Sequence, residues 1–223
     1  MTVPTRRLSG VRIVGDAVPP LVPLVGAVFV LLIGEAPGPR GADKSGVPFF
    51  GDAAGRHLYQ VLARLGAVRL PEGMDALPWD GARFREAALR PTAHGVALGN
   101  AYDRCPTDDG VTFRAPSRNE LEGPANVERL TRDLNAFGAR GLRGVVTLGR
   151  VATRTVDVVL TRTPMPTIVT RALPHPSAQG LLSMAPDRGK GARMSDLQEA
   201  WMMRCRDVII EAGYPSTAAG GPS

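Results

Sequence analysis

At 223 residues, with 27 Lys and Arg against 21 Asp and Glu, the chain carries a net charge of +6 and has the length of one domain with a sizeable core. Hydrophobic residues at 43% and charged residues at 22% exclude a wholly disordered chain. Two cysteines, Cys105 and Cys205, exclude a disulfide scaffold, a four-Cys zinc site and an all-Cys iron–sulfur cluster, and point to a reducing, cytoplasmic setting.

Arg6-Arg7 followed by apolar Ala17–Ile33 mimics a signal peptide or membrane span, but Pro19, Pro20 and Pro23 interrupt the stretch. Val28–Ile33 instead predicts a buried strand that enters the Gly/Pro loop Gly34–Gly51, so no membrane segment is expected. Residues 1–26 read as an N-terminal extension, 27–213 as the domain and 214–223 as a flexible tail. Leu58, Val61, Leu62 and Leu65 predict a helix over 53–65, with Asp52 placed to cap it. Residues 67–93 are rich in Pro and Gly, with one short helix around 81–89. A short strand follows at Gly95–Leu98 and ends at Gly99-Asn100. Residues 103–125 read as a long loop. The next helix carries Val127, Leu130, Leu134 and Phe137, and the third strand is Val145–Leu148. A helix over 151–160, a fourth strand at Thr167–Thr170, a Gly/Arg/Lys-rich loop over 181–193 and a helix over 195–212 complete the reading.

This alternation predicts an α/β fold: a three-layer α/β/α arrangement around a central four-stranded, mainly parallel sheet. Ligands bind such sheets beyond the carboxyl ends of the strands. Each strand empties there into a Gly- or Pro-marked loop, so Glu35, Asp43, Asp52, Asn100 and His175 are expected to converge on one rim.

Those loops resemble the motifs of the uracil-DNA glycosylase superfamily. Gly34-Glu35-Ala36-Pro37-Gly38, Asp43, Gly46–Gly51 and Ala54-Gly55 are similar to the first motif of the iron–sulfur family-four branch. Asn100 before Cys105-Pro106 resembles the second motif, Val145–Gly149 the third strand, and His175-Pro176-Ser177 the last motif. The resemblance covers roughly residues 28–212. The chain departs from family four in lacking an N-terminal Cys pair. Asp52 after the Phe-x-Gly segment resembles family five, whose first motif lacks the Glu that stands here at position 35.

The resemblance implies a monofunctional DNA glycosylase, acting in base-excision repair as a monomer on DNA that carries uracil or a related deaminated or modified base, and the missing cysteines make it metal-free and without cofactor. It assigns His175 as hydrogen-bond donor to the base O2 and Asn100 as reader of the N3–O4 edge. Phe49 becomes the stacking ring, although the adjacent Phe50 competes for that place. Backbone groups from Gly34 onward contact the base. Glu35 is preferred over Asp52 for positioning or activating water, and Asp43 reads as a loop brace. Ser177, the wedge candidates Leu181 and Leu182, and Arg188, Lys190 and Arg193 would face DNA. The alternatives are a module of this fold that binds such DNA without cleaving it, and an enzyme acting on free nucleosides.

Overall fold

The computed structural model describes residues 16–109, 112–165, 167–186 and 190–215. In chain order they form β1 (Val28–Gly34), α1 (Ala42–Ser45), α2 (Ala53–Arg64), β2 (Val68–Arg69), α3 (Gly81–Glu86), β3 (Thr92–Ala93) and β4 (Gly95–Asn100). The second half adds α4 (Arg118–Glu122), α5 (Pro124–Gly138), β5 (Gly144–Leu148), α6 (Arg150–Arg162), β6 (Val169–Leu173), α7 (Ala178–Leu182) and α8 (Met194–Glu211).

An apolar run without polar alternation needs cover on both faces, and β1 receives it. It lies inside a parallel sheet of order β4-β1-β5-β6. Val30 and Leu32 on one face pack with Leu58 and Leu62 of α2 and Trp201 and Ile209 of α8. Leu31 and Ile33 on the other pack with Leu130 and Leu134 of α5 and Val156 and Val159 of α6. The three-layer α/β/α arrangement expected from the sequence is therefore present.

Several boundaries differ from the sequence reading. The fourth strand is Val169–Leu173 rather than Thr167–Thr170, because its register is set by β5: Gly144 pairs with Val169 and Leu148 with Leu173. This edge strand exposes residues 169–172, so apolar pattern could not mark it. Helix α4 interrupts the expected 103–125 loop. A capping box starts it, with Ser117 and Glu120 each accepting the other's backbone N–H. The 67–93 excursion adds the small antiparallel β2–β3 ladder and, through Trp79 and Phe84, encloses Phe50.

The segment 16–26 lies against the domain: Leu21 and Leu98 exchange backbone hydrogen bonds, and the Val18 N–H donates to Asp103 O. Tyr214, assigned to the tail by sequence, packs edge-on to Phe29 and donates its hydroxyl to His94 O at 3.3 Å. Residues 1–15 and 216–223 lie outside the described residues. Among the described residues no helix is long and apolar enough to cross a membrane.

The largest correction concerns Leu181. The sequence places it in a solvated loop as a DNA wedge, whereas α7 begins three residues earlier and Leu181 is 1% exposed in the main core. Ser177 caps α7, and a helix capped there turns its fourth residue inward. Leu182, the other wedge candidate, is half-buried on the outer side. Leu181→Ala is expected to lower the unfolding free energy by about 2–5 kcal/mol, and Leu182→Ala by about 0.5 kcal/mol. Urea denaturation of both variants checks this; equal losses would refute the assignment.

Candidate active site

The carboxyl end of β1 organises the site. Gly34 stands beside Asn100 in the β1–β4 register, and the Ala101 and Tyr102 N–H groups donate to Gly34 O and Glu35 O at 2.7 and 2.9 Å. A Cβ on Gly34 would fall 2.7 Å from the Phe49 ring and 3.3 Å from Asn100 Oδ1. The missing side chain is thus what lets ring and amide close over the strand end.

Phe49 adopts φ 62°, a left-handed conformation that costs a non-glycine residue about 1–3 kcal/mol. Its neighbours hold it there. Tyr59 donates to Pro48 O at 2.9 Å, and Ser45 donates to Phe50 O at 2.7 Å. Phe50 stacks on Phe84 at 4.4 Å and meets Tyr59 and Trp79 edge-on. Of the two adjacent rings, Phe50 is therefore core and Phe49 forms cavity wall.

That cavity has a volume of about 440 Å³ and lies at the carboxyl end of the sheet. Phe49, Asp52, His57, Asn100 and His175 line it, with Gln198 reaching it from α8. It shares Ala36, Gly38, His175 and Ser177 with a larger open groove of about 1390 Å³. The groove holds Glu35, Phe113, Arg150 and Leu182.

Asp52 occupies the N-cap position of α2 but makes no side-chain cap bond. Its carboxylate instead fills the hollow left by Gly38 and Gly41, where a Cβ would come within 2.4 and 2.3 Å of Oδ1, and accepts the Ala42 N–H at 3.2 Å. Burial pushes its pKa up to about 6, against the backbone N–H groups of Ala42, Gly41 and Gly38 that lower it, with Asp43 adding to the rise. Burial also raises Glu35, but Glu35 faces the groove and not the cavity.

His175 is held by its own motif. Trp201 donates to Pro174 O at 2.9 Å, and the Ser177 N–H donates to His175 Nδ1 at 3.2 Å. A ring nitrogen that accepts is unprotonated, so the proton of the neutral imidazole sits on Nε2. Burial lowers the His175 pKa, which keeps the ring neutral near pH 7. Asn100 is 4% exposed and its buried Nδ2 has no hydrogen-bond partner among the described residues.

The structure thus gathers Phe49, Asp52, Asn100 and His175 around one cavity, with Gly34 behind them. Ser177 borders both cavity and groove while capping α7. Lys190 and Arg193 are exposed but line neither the cavity nor the groove, and Arg188 lies outside the described residues. Among the described residues no His, Cys, Asp and Glu group forms a metal-ligand cluster.

Two contributors escaped the sequence reading. His57 on α2 lines the cavity with its Nδ1 buried and without a hydrogen-bond partner among the described residues, and no motif surrounds it. Arg129 on α5 donates to Asn100 O and Ala101 O at 3.1 and 2.9 Å, braced by Asn126 and by Asp133 at 3.1 Å. Asn126 adds a 2.8 Å bond to Ala101 O. The i, i+3 spacing of Asn126 and Arg129 on one helix face was the available signal.

A family model described as the uracil DNA glycosylase superfamily matches residues 25–198. A type-5 uracil-DNA glycosylase of Mycobacterium leprae is 38% identical over 72 residues, which is 32% of this chain and 31% of that protein. A type-5 uracil-DNA glycosylase of Thermus thermophilus is 44% identical over 55 residues, 25% of this chain and 24% of that protein. The chain thus covers about a third and a quarter of the length of these curated relatives. The crystal structure of wild-type SMUG2 from Pedobacter heparinus aligns with a TM-score of 0.46 at 12% identity, covering 82% of this chain and 76% of that one.

The raised pKa of Asp52 has a signed consequence for stability. Between its ordinary value of 3.8 and about 6 the folded chain binds this proton more tightly than the unfolded chain, so the stability contributed by Asp52 falls as pH rises through that window. Unfolding measured from pH 4 to 7 at constant ionic strength is expected to show Asp52→Asn gaining on the wild type as pH rises. A constant difference would contradict it.

Proposed function

The chain belongs to the uracil DNA glycosylase superfamily, and from that premise we propose that it is a monofunctional DNA glycosylase that excises uracil or a related deaminated or modified base flipped out of DNA. The observation that carries this reading is the single cavity shared by a carboxylate, a buried amide, a neutral imidazole and an aromatic ring. These are the groups that N-glycosidic hydrolysis of a flipped base requires.

In the proposed reaction the base enters against Phe49 and presents its N3–O4 edge to Asn100. An amide supplies one acceptor and one donor, and the unpartnered Nδ2 supports the donor half of that pairing. Cleavage moves the C1′–N1 electron pair onto the base, and the charge spreads to O2. The Nε2–H of neutral His175 donates to that oxygen. A water then attacks C1′ and passes its proton to Asp52. The cavity position of Asp52 supports it for this role over Glu35, which the sequence favoured; Glu35, from the groove, would meet the sugar–phosphate of the substrate strand.

The Asp52 pKa gives the expected pH dependence. Activity should rise with pH through about 6 as the carboxylate ionises, and Asp52→Asn should be slow at every pH. Excision from uracil-containing oligonucleotides, single- and double-stranded, tests the reading. His175→Ala is expected to lose about 10²–10³ in kcat, the effect of removing one preorganised donor. Asn100→Ala should lose discrimination among bases. Equal rates in wild type and variants would overturn the site. Binding to uracil-containing DNA without release of any deaminated or modified base would favour the non-cleaving module.

A further inference from the structure

Large apolar side chains at the surface of the described residues are few: Leu24, Val25, Phe113, Val169 and Met203. Phe113 is the one aromatic among them, 38% exposed, and the one that lines the groove leading to the cavity. A mobile loop often leaves a ring exposed. This loop is tied.

Thr107 pairs with Phe113 across an antiparallel bridge, and its hydroxyl donates to Thr112 O at 2.7 Å. The Thr112 N–H and hydroxyl donate to the Asp109 carboxylate at 2.6 and 2.8 Å. Arg114 then anchors the outgoing strand, reaching Asp108 at 2.8 Å and Glu120 at 2.7 Å. The Glu120 carboxylate also accepts the Ser117 N–H at 2.7 Å, which joins this network to the start of α4. The described backbone on both sides of Phe113, at Thr112 and Arg114, is thus held by hydrogen bonds, which reduces the ordering entropy lost on contact. Arg114 also lines the groove, but its charge is engaged by two carboxylates. Arg150, at the first turn of α6, lines the same groove, is exposed and has no carboxylate partner among the described residues. Its neighbour one turn on, Arg154, is paired with Glu122 at 3.0 Å.

A fixed exposed ring and an unpaired guanidinium in one groove match the two things a nucleotide offers, a flat base and a phosphate. We propose that Phe113 is a stacking platform for an unpaired base of the DNA strand lying in the groove, next to the nucleotide delivered to the cavity, with Arg150 as the phosphate contact. Base faces are free in a single strand and covered in a duplex, so this platform favours single-stranded substrate. The proposal deepens the glycosylase reading by naming the strand state of its substrate.

The experiment uses the full chain and a fluorescently labelled single-stranded oligonucleotide without uracil, so that binding is read apart from excision. Phe113→Ala is expected to weaken binding about tenfold, and Phe113→Trp to bind as well as wild type or better. Affinity for the matching duplex should be the same in wild type and Phe113→Ala. Arg150→Gln should lower the slope of log affinity against log salt by about 0.7. In an oligonucleotide carrying 2-aminopurine beside uracil, the wild type should quench the fluorescence and Phe113→Ala should not. Wild-type affinity in Phe113→Ala, or no quenching by the wild type, would overturn the platform even where uracil is excised. Normal Phe113-dependent binding without any base release would overturn the glycosylase reading and leave the platform standing.

Discussion

The site depends on one close approach. At the end of β1 the Phe49 ring occupies the space that a Cβ on Gly34 would need, and Asn100 presses in from the neighbouring strand. Any side chain at position 34 would drive ring and amide apart, so a residue with no side chain sets the spacing of two that line the cavity. The rest of the first loop serves this contact. Phe50 is locked among Tyr59, Trp79 and Phe84, and that lock holds Phe49 in a backbone conformation it would not adopt alone. The 67–93 excursion, which contributes nothing to the central sheet, stabilises the site by supplying two of those rings.

The electrostatics of the cavity follow from enclosure. Burial moves Asp52 and His175 in opposite pKa directions but toward the same outcome, the neutral form. Neutrality suits a histidine that, in the proposed reaction, would donate from Nε2 without carrying charge. For Asp52 it means that the anion above about pH 6 is held in an unfavourable setting. In the proposed reaction the cationic sugar would relieve that burden as the bond breaks, so the carboxylate would interact more strongly with the transition state than with the ground state. The glycine spacing around residues 38 and 41 reflects the same demand, since it is the space in which the carboxylate lies.

What could be read from sequence follows burial. β1, β4 and β5 are covered on both faces and announce themselves as short apolar runs, and the loops after them carried the legible motifs. β6 slid by two residues because an exposed edge strand has no apolar signature and takes its register from a partner distant in sequence. Leu181 was misread because basic and glycine-rich neighbours masked a single inward turn begun by Ser177. The cavity residues were legible from their neighbours: Asn100 and His175 stand beside Gly or Pro at strand ends, and Asp52 follows Gly51 at the start of α2. Their ranking was not: that Asp52 faces the cavity and Glu35 the groove depends on how the loop folds back at Gly41, a long-range packing outcome. His57 and Arg129 lie inside helices whose apolar spacing explains the helix and hides the exception.

The order of the sheet also constrains when the site can exist during synthesis. β1 is made first yet occupies an interior position, flanked by β4 and β5, so Val30 must wait for Gly144 before its second edge is closed. His175 and the α8 indole that steadies it are translated later still. An incomplete chain would therefore display the β1 edge and the Phe49 loop with neither the histidine nor its support. Transiently exposed apolar edges of this kind are aggregation-prone, and the residues lining the cavity come together only once the last strand and helix have been added.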